Sequence, residues 1–380
     1  MKNYKSVLCA APFSAIFISK TIAKTCCAID YGPETQIDVI NDKSILDHFN
    51  EVNLNLRQDF IQGKLNRNCT NCTIRTDNIQ RYHYNDFTNE NIDHIANPAL
   101  SYLHIDFSNV CNLACRICTQ KSSNLLHKEM ELLGLARIDE PVIKRLIDRD
   151  SKLYTSILEN LDKIRYVRFS GGEPLLHEEV WTLLESICQK GYSKDIVFKV
   201  NTNGTVKLTE EKYNILKSFK AVYIEVSMDG INEHAEYIRT NVIWDRWINN
   251  IKEYKKEFKN YTNFNLGIVC TLSVFNIHIF DTIKKYFDSL RLSTGTNMLF
   301  WHEQFCVFNI NQQSKDYLNE LYKDKYPDIL HFVNLENKID PREIVKYIDK
   351  RDDIVIANNL YKNYRRFRDV DPEWYTMLKG

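Results

Sequence analysis

The chain has 380 residues, 44% of them hydrophobic, and its 50 lysines and arginines balance 50 aspartates and glutamates, for a formal net charge of +0. That length supports a full core and points to one large domain with one or two smaller ones. A neutral chain has no global field to draw in nucleic acid or an anionic membrane, which argues against both as partners. Most of the 11 cysteines fall in tight clusters, which reads as metal ligation in a reducing compartment, so the cytoplasm is the expected location.

From the start, Lys2 and Lys5 precede an apolar run, Val7 to Ile18, with the outline of a signal-peptide core. Pro12 and Ser14 interrupt it, no small-residue cleavage pattern follows, and it is far short of the roughly 20 residues needed to cross a bilayer. Residues 1–97 read as a first unit holding Cys9, the adjacent pair Cys26 and Cys27, and Cys69-x-x-Cys72. Apolar alternation from Ala15 predicts a short hairpin bringing Cys9 near Cys26. The spacing of Ile45, Leu46, Phe49, Val52, Leu56 and Phe60 predicts a helix over 44–61 that carries the chain back to Cys69.

Residues 98–310 alternate strands with helices, the pattern of parallel strands joined by helical crossovers. Strands are predicted near 102–107, 166–169, 196–200, 222–226, 266–272 and 298–305. Chemistry in such folds gathers on loops after strand C-termini, and the loop after the first of these strands carries Cys111, Cys115 and Cys118. Three thiolates there can hold three irons of a cubane cluster and leave the fourth open to a small-molecule chelate. Zinc is the alternative, but the loop offers it no fourth ligand. His104, Asp106, Arg168 and Lys199 are expected to alternate into the interior, where Arg168 either binds substrate or pairs with Asp106 or Glu225. Cys188 falls on an apolar helical stripe with Val180, Leu183, Leu184 and Ile187, and Cys270 lies in an apolar strand, so both read as core; Cys306 reads as a shielded structural thiol.

Residues 311–380 are charged and helical in pattern, with a basic, aromatic stretch over 361–368. Such interleaving can mark a nucleic-acid surface, but in a neutral protein a helix face covering the core is the commoner cause.

Cys111-x-x-x-Cys115-x-x-Cys118 is followed by Phe169-Ser170-Gly171-Gly172-Glu173-Pro174, Thr202-Asn203-Gly204 and Val226-Ser227-Met228-Asp229-Gly230. In this order the four motifs resemble those of the radical S-adenosylmethionine (SAM) superfamily over about 102–275. The resemblance implies an α/β fold with a partial (β/α)6 TIM-like barrel. It implies a 4Fe-4S cluster on Cys111, Cys115 and Cys118, with SAM chelating the fourth iron. Gly171 and Gly172 would let backbone approach SAM, and Glu173 would accept from its ammonium. Thr202 and Asn203 would form the ribose-side turn. Ser227 and Arg239 would hold the ribose and the SAM carboxylate, and Ile117 stands where many members place an aromatic residue against adenine.

The N-terminal unit is similar to the twitch or SPASM auxiliary-cluster domains of such enzymes. That likeness implies a second iron-sulfur cluster on Cys9, Cys26, Cys69 and Cys72, with Cys27 as the alternative to Cys26. Phe13 where tryptophan is common, and Ser19-Lys20-Thr21 in place of a glycine turn, depart from that pattern, and a structural zinc site on the same cysteines is the competing reading. The implied activity is reductive cleavage of SAM to a 5'-deoxyadenosyl radical that takes hydrogen from a substrate, with flavodoxin or ferredoxin as electron donor. The substrate class implied is a peptide or protein. A small metabolite, sugar or nucleotide is the alternative, and a non-catalytic iron-sulfur scaffold or redox sensor is the reading from another class.

Overall fold

The run Ala15–Ser19 forms strand β1 and is buried along its whole length, the mark of a strand inside a parallel sheet rather than on a peripheral hairpin. In the computed structural model β1 pairs in parallel with β4 (Tyr102–Asp106), placing Phe17 opposite His104 and Ser19 opposite Asp106. The structure describes residues 9–19, 21–29, 35–64, 66–69, 97–136, 142 and 150–380. Cys72, Lys2 and Lys5 lie outside these.

The chain divides into two units. The first comprises Met1–Asn109, Lys144–Asn201 and Leu208–Tyr223; the second comprises Val110–Ile143, Thr202–Lys207 and Ile224–Gly380. The first unit also takes in residues beyond 97, through Asn109. The predicted hairpin forms, with β2 (Ile22–Lys24) antiparallel to β1 and β3 (Gln36–Asp38) antiparallel to β2. It extends the same sheet as β4, however, instead of folding as a separate domain.

With β5 (Tyr166–Ser170) and β6 (Val197–Thr202), the strand order in the first unit is β3-β2-β1-β4-β5-β6, and β1, β4, β5 and β6 run parallel. Burial alternates along β6: Phe198, Val200 and Thr202 are buried while Val197, Lys199 and Asn201 are half-buried. One face of this sheet is thus apolar and the other polar. The helix Ile45–Ile61 starts at a capping box, Ser44 Oγ accepting from the Asp47 amide while Asp47 accepts from the Ser44 amide. Its buried face carries Leu56 and Phe60 onto Phe13 and Ile29. Helix Glu178–Gln189 buries Val180, Leu183, Leu184 and Ile187, but Cys188 stands at the edge of that stripe. It is half-buried beside Ser218 Oγ at 3.0 Å, which corrects its reading as core.

Strand β7 (Ala221–Ser227) begins in the first unit and ends in the second. The second unit contains β8 (Phe264–Leu272) in parallel with β9 (Ser293–Met298). The last strand was expected at 298–305. The true strand, Ser-Thr-Gly-Thr-Asn-Met, is polar and largely exposed, whereas apolar Leu299 and Phe305 lie in turns and a short 3-10 segment. Helices Gln312–Tyr322, Pro327–Val333, Arg342–Ala357 and Pro372–Lys379 complete the unit. In the basic, aromatic stretch before the last of them the tyrosines turn inward, Tyr361 donating to Glu129 and Tyr364 to Asp352, while Arg366 pairs with Asp353 at the surface. Among the described residues no helix is long and apolar enough to cross a membrane.

Candidate active site

The cysteine loop belongs to the second unit and is stapled by its own backbone. The Ala114 amide donates to the Thr240 carbonyl (3.0 Å) and the Arg116 amide to the Ile238 carbonyl (2.7 Å), so the loop runs against the end of helix Asn232–Ile238. Arg239, the cap of that helix, sits between these two bonds. Its Nη1 lies 3.9 Å from Cys115 Sγ, and its Nη2 is 2.8 Å from Asp229 Oδ2. Asp229 is fixed in turn by the Thr271 amide at 2.7 Å.

Burial works to strip the charge from Arg239, but Asp229 and the thiols of Cys115 and Cys118 outweigh it, so the guanidinium stays protonated. The Cys118 thiol, hydrogen-bonded to Cys115, lowers the latter's pKa, with Arg239 helping; the same contact and burial push Cys118 up. The thiolate is the form of these side chains that binds metal.

The Thr202-Asn203-Gly204 turn supports the first cysteine. Asn203 Nδ2 donates to Asn112 Oδ1 (2.8 Å) and lies 3.7 Å from Cys111 Sγ, while Thr202 Oγ1 accepts from the Gly204 amide at 3.1 Å. Gly204 has φ +74°, and a Cβ there would meet Val226 at 2.7 Å and the Trp247 indole nitrogen at 2.8 Å, so no side chain fits. The turn expected at the ribose side makes its contacts with the cysteine loop.

Behind the loop lies a buried charge network that the sequence did not disclose. Arg116 makes a bidentate pair with Glu129 (3.0 and 2.9 Å), Arg351 Nε reaches the same carboxylate at 2.6 Å, and Arg351 Nη1 donates to the Arg116 carbonyl at 2.7 Å. Tyr361 adds a bond at 3.0 Å. Burial raises the Glu129 pKa, but the two guanidinium charges win and hold it at about 2. Ile117 is buried, and its carbonyl accepts from the Trp301 indole at 3.0 Å. Trp301 is 58% exposed, so an aromatic surface stands beside Ile117 although the sequence places none at that position. Ser227 ends β7 and is half-buried.

In the first unit, Gly171 has φ +81° and its α-carbon passes so close to β4 that a Cβ would lie 2.8 Å from Cβ and Cγ of Asp106. Asp106 accepts from Ser170 and from Ser19 (3.0 Å), and His104 Nε2 lies 2.6 Å from Ser170 Oγ. Gly172 is half-buried, and Glu173 is buried, its Oε1 accepting from the Leu175 amide at 3.1 Å to cap the turn that follows. Register puts His104, Arg168 and Lys199 side by side on β4, β5 and β6. Burial, and then the charges of Arg168, Lys199 and Lys24, hold His104 neutral. Arg168 donates to Asn201 Oδ1 at 3.0 and 2.7 Å.

Cys9, Cys26 and Cys69 pack against one apolar group formed by Phe13, Ile29, Leu56 and Phe60, whereas Cys27 is not among the residues on it. Cys270 and Cys306 are buried, and Cys306 Sγ is 3.1 Å from the His302 carbonyl.

Residues 105–275 match the family model described as the radical SAM superfamily. Over these residues the chain matches a radical SAM domain. It is 30% identical over 148 residues to molybdenum cofactor biosynthesis protein 1 of Dictyostelium discoideum, covering 38% of this chain and 20% of that protein. It is 31% identical over 143 residues to a GTP 3',8-cyclase of Aquifex aeolicus, covering 37% and 38%. The chain thus spans well under half the length of these curated relatives. Among solved structures it is similar to anSMEcpe with bound AdoMet, at 20% identity, covering 63% of this chain and 61% of that one, with a TM-score of 0.41. Radical SAM superfamily members are enzymes, and the family implies a 4Fe-4S cluster and SAM.

The residues present fit that cofactor pair. Three thiols lie on one loop with a permanent cation against them, and Arg239 Nε is buried without a hydrogen-bond partner among the described residues, a donor left for an added acceptor.

Proposed function

We propose that this chain is a radical SAM enzyme that abstracts hydrogen from a peptide or protein side chain. When bound, the reduced cluster and SAM supply a 5'-deoxyadenosyl radical, which is the hydrogen-abstracting species. The observation that carries the reading is the Cys115–Arg239–Asp229 arrangement, a buried cation tied to a carboxylate on one side and facing a cluster thiol on the other. Cys111, Cys115 and Cys118 hold three irons, Arg239 meets the SAM carboxylate, and Ser227 and Asn203 serve the ribose. Ile117 and the exposed Trp301 indole flank the adenine. Gly171, Gly172 and Glu173 of the first unit are read as SAM contacts from the resemblance alone.

The shared apolar group beneath Cys9, Cys26 and Cys69 supports a second iron-sulfur cluster on these three with Cys72, and the likeness to auxiliary-cluster enzymes favours a peptide or protein substrate. A flavodoxin or ferredoxin in the cytoplasm would supply electrons. The second reading is a small nucleotide. It is favoured by the similarity to a GTP 3',8-cyclase and by the adjacent Arg168 and Lys199, which suit an anionic group, with Arg168 as the substrate contact. Incubation with deuterated peptide libraries and deuterated nucleotides separates the two. Deuterium in 5'-deoxyadenosine from the peptides supports the first reading, and deuterium from the nucleotides alone refutes it.

A further inference from the structure

Away from the cysteine loop, in the second unit, three side chains from distant parts of the sequence converge. His234 comes from helix Asn232–Ile238, His278 from the turn after β8, and Asp371 from the cap of helix Pro372–Lys379. His234 Nε2 is 2.8 Å and His278 Nε2 2.6 Å from one oxygen, Asp371 Oδ2, and the three potential ligand atoms all lie within 4.8 Å of one another. The geometry is fixed from behind. Asp371 Oδ1 accepts from the Trp374 amide (3.1 Å), which aims Oδ2 at the histidines, and the His278 ring stacks on Trp374 with centroids 4.4 Å apart and 13° between planes.

A second, independent observation concerns the other side of His278. Its Nδ1 is buried with no hydrogen-bond partner among the described residues, and its side chain is 9% exposed. Coordination through Nε2 would move the ring's proton onto this Nδ1 and leave it without an acceptor, a cost the ion must offset. Two imidazoles and one carboxylate form a borderline N2O donor set, which suits zinc. His234, at 23% exposed, leaves a side open to a water as fourth ligand.

We propose that His234, His278 and Asp371 form a binding site for a divalent transition ion, zinc by its donor set, separate from any iron-sulfur centre. The ion replaces the two N–H···O contacts: each imidazole's one proton moves from Nε2 to Nδ1, and the freed Nε2 lone pairs bind the ion with Asp371 Oδ2. Because His278 Nδ1 has no outer-shell acceptor, the site is weaker than a closed structural zinc centre by the 10–100-fold that such partners contribute. It ties the final helix to the helix that delivers Arg239.

The test uses the full chain with its clusters reconstituted anaerobically. Titration with zinc against a chromophoric chelator should show one equivalent bound, and zinc should raise Tm. Cobalt(II) in its place should give d–d absorption without thiolate charge-transfer bands, which separates this site from any cysteine site. Asp371→Asn, which keeps a capping oxygen, and His234→Gln, on the exposed side, should each lose the equivalent and the Tm response while keeping the wild-type circular dichroism. The proposal is overturned if wild type shows no zinc-dependent Tm shift, if both variants bind zinc as wild type does, or if cobalt binds only with thiolate charge transfer.

Discussion

Arg239 and Asp229 form a buried ion pair at 2.8 Å, and the guanidinium that Asp229 holds is the one facing Cys115. Removing one member of such a pair leaves an uncompensated buried charge and costs about 3–5 kcal/mol. Asp229→Asn should therefore lower stability by that order and weaken SAM binding together, as read by urea denaturation and by equilibrium dialysis. A variant with wild-type stability would show that Arg239 finds its counter-charge elsewhere.

Glu129 gives a pH signature. Its folded pKa of about 2 lies below the usual glutamate value of 4.5, so its contribution is fully present above about pH 4.5 and is lost as pH falls toward 2. The separation corresponds to roughly 3 kcal/mol. Glu129→Gln should lose about that much at pH 7 and show a flatter acid limb than wild type in denaturation series. Parallel acid limbs in the two proteins would remove Glu129 as the source.

Gly171→Ala places a methyl 2.8 Å from two Asp106 atoms at a positive φ, a combination of overpacking and backbone strain costing about 2–4 kcal/mol. Because one of those atoms is the Asp106 Cβ, Asp106→Ala in the same chain should not restore the lost Tm. Full rescue by that second change would place the clash on the carboxylate alone.

Glu173→Gln and Ser227→Ala test cofactor orientation apart from cluster binding. Each should leave the visible spectrum of the reconstituted cluster unchanged while weakening SAM by about 1.5–3 kcal/mol, the loss of one hydrogen bond to a charged group. Loss of the cluster in either variant would assign that residue to the fold.

Much of the sheet was legible because β4, β5, β6 and β7 each carry an apolar run that stops at a motif, and period-two patterning survives wherever one face is buried. The N-terminal strands were read correctly as a hairpin but assigned to a separate domain. The parallel pairing of Ala15–Ser19 with Tyr102–Asp106 joins segments too far apart for local pattern to reveal. Strand Ser293–Met298 was missed because its residues are polar and exposed, leaving only β8 as its organising partner. The cysteine triad was plain from spacing. Its supports were not: Arg116, Glu129 and Arg351 look like surface charges in the sequence, and only the tertiary fold buries them together.

The most direct test is the fate of SAM in anaerobically reconstituted protein reduced with dithionite. The account predicts 5'-deoxyadenosine and methionine from wild type, and neither from the chain with Cys111→Ala, Cys115→Ala and Cys118→Ala together. No 5'-deoxyadenosine from wild type bearing a full four-iron cluster, or undiminished cleavage in the triple variant, would contradict it.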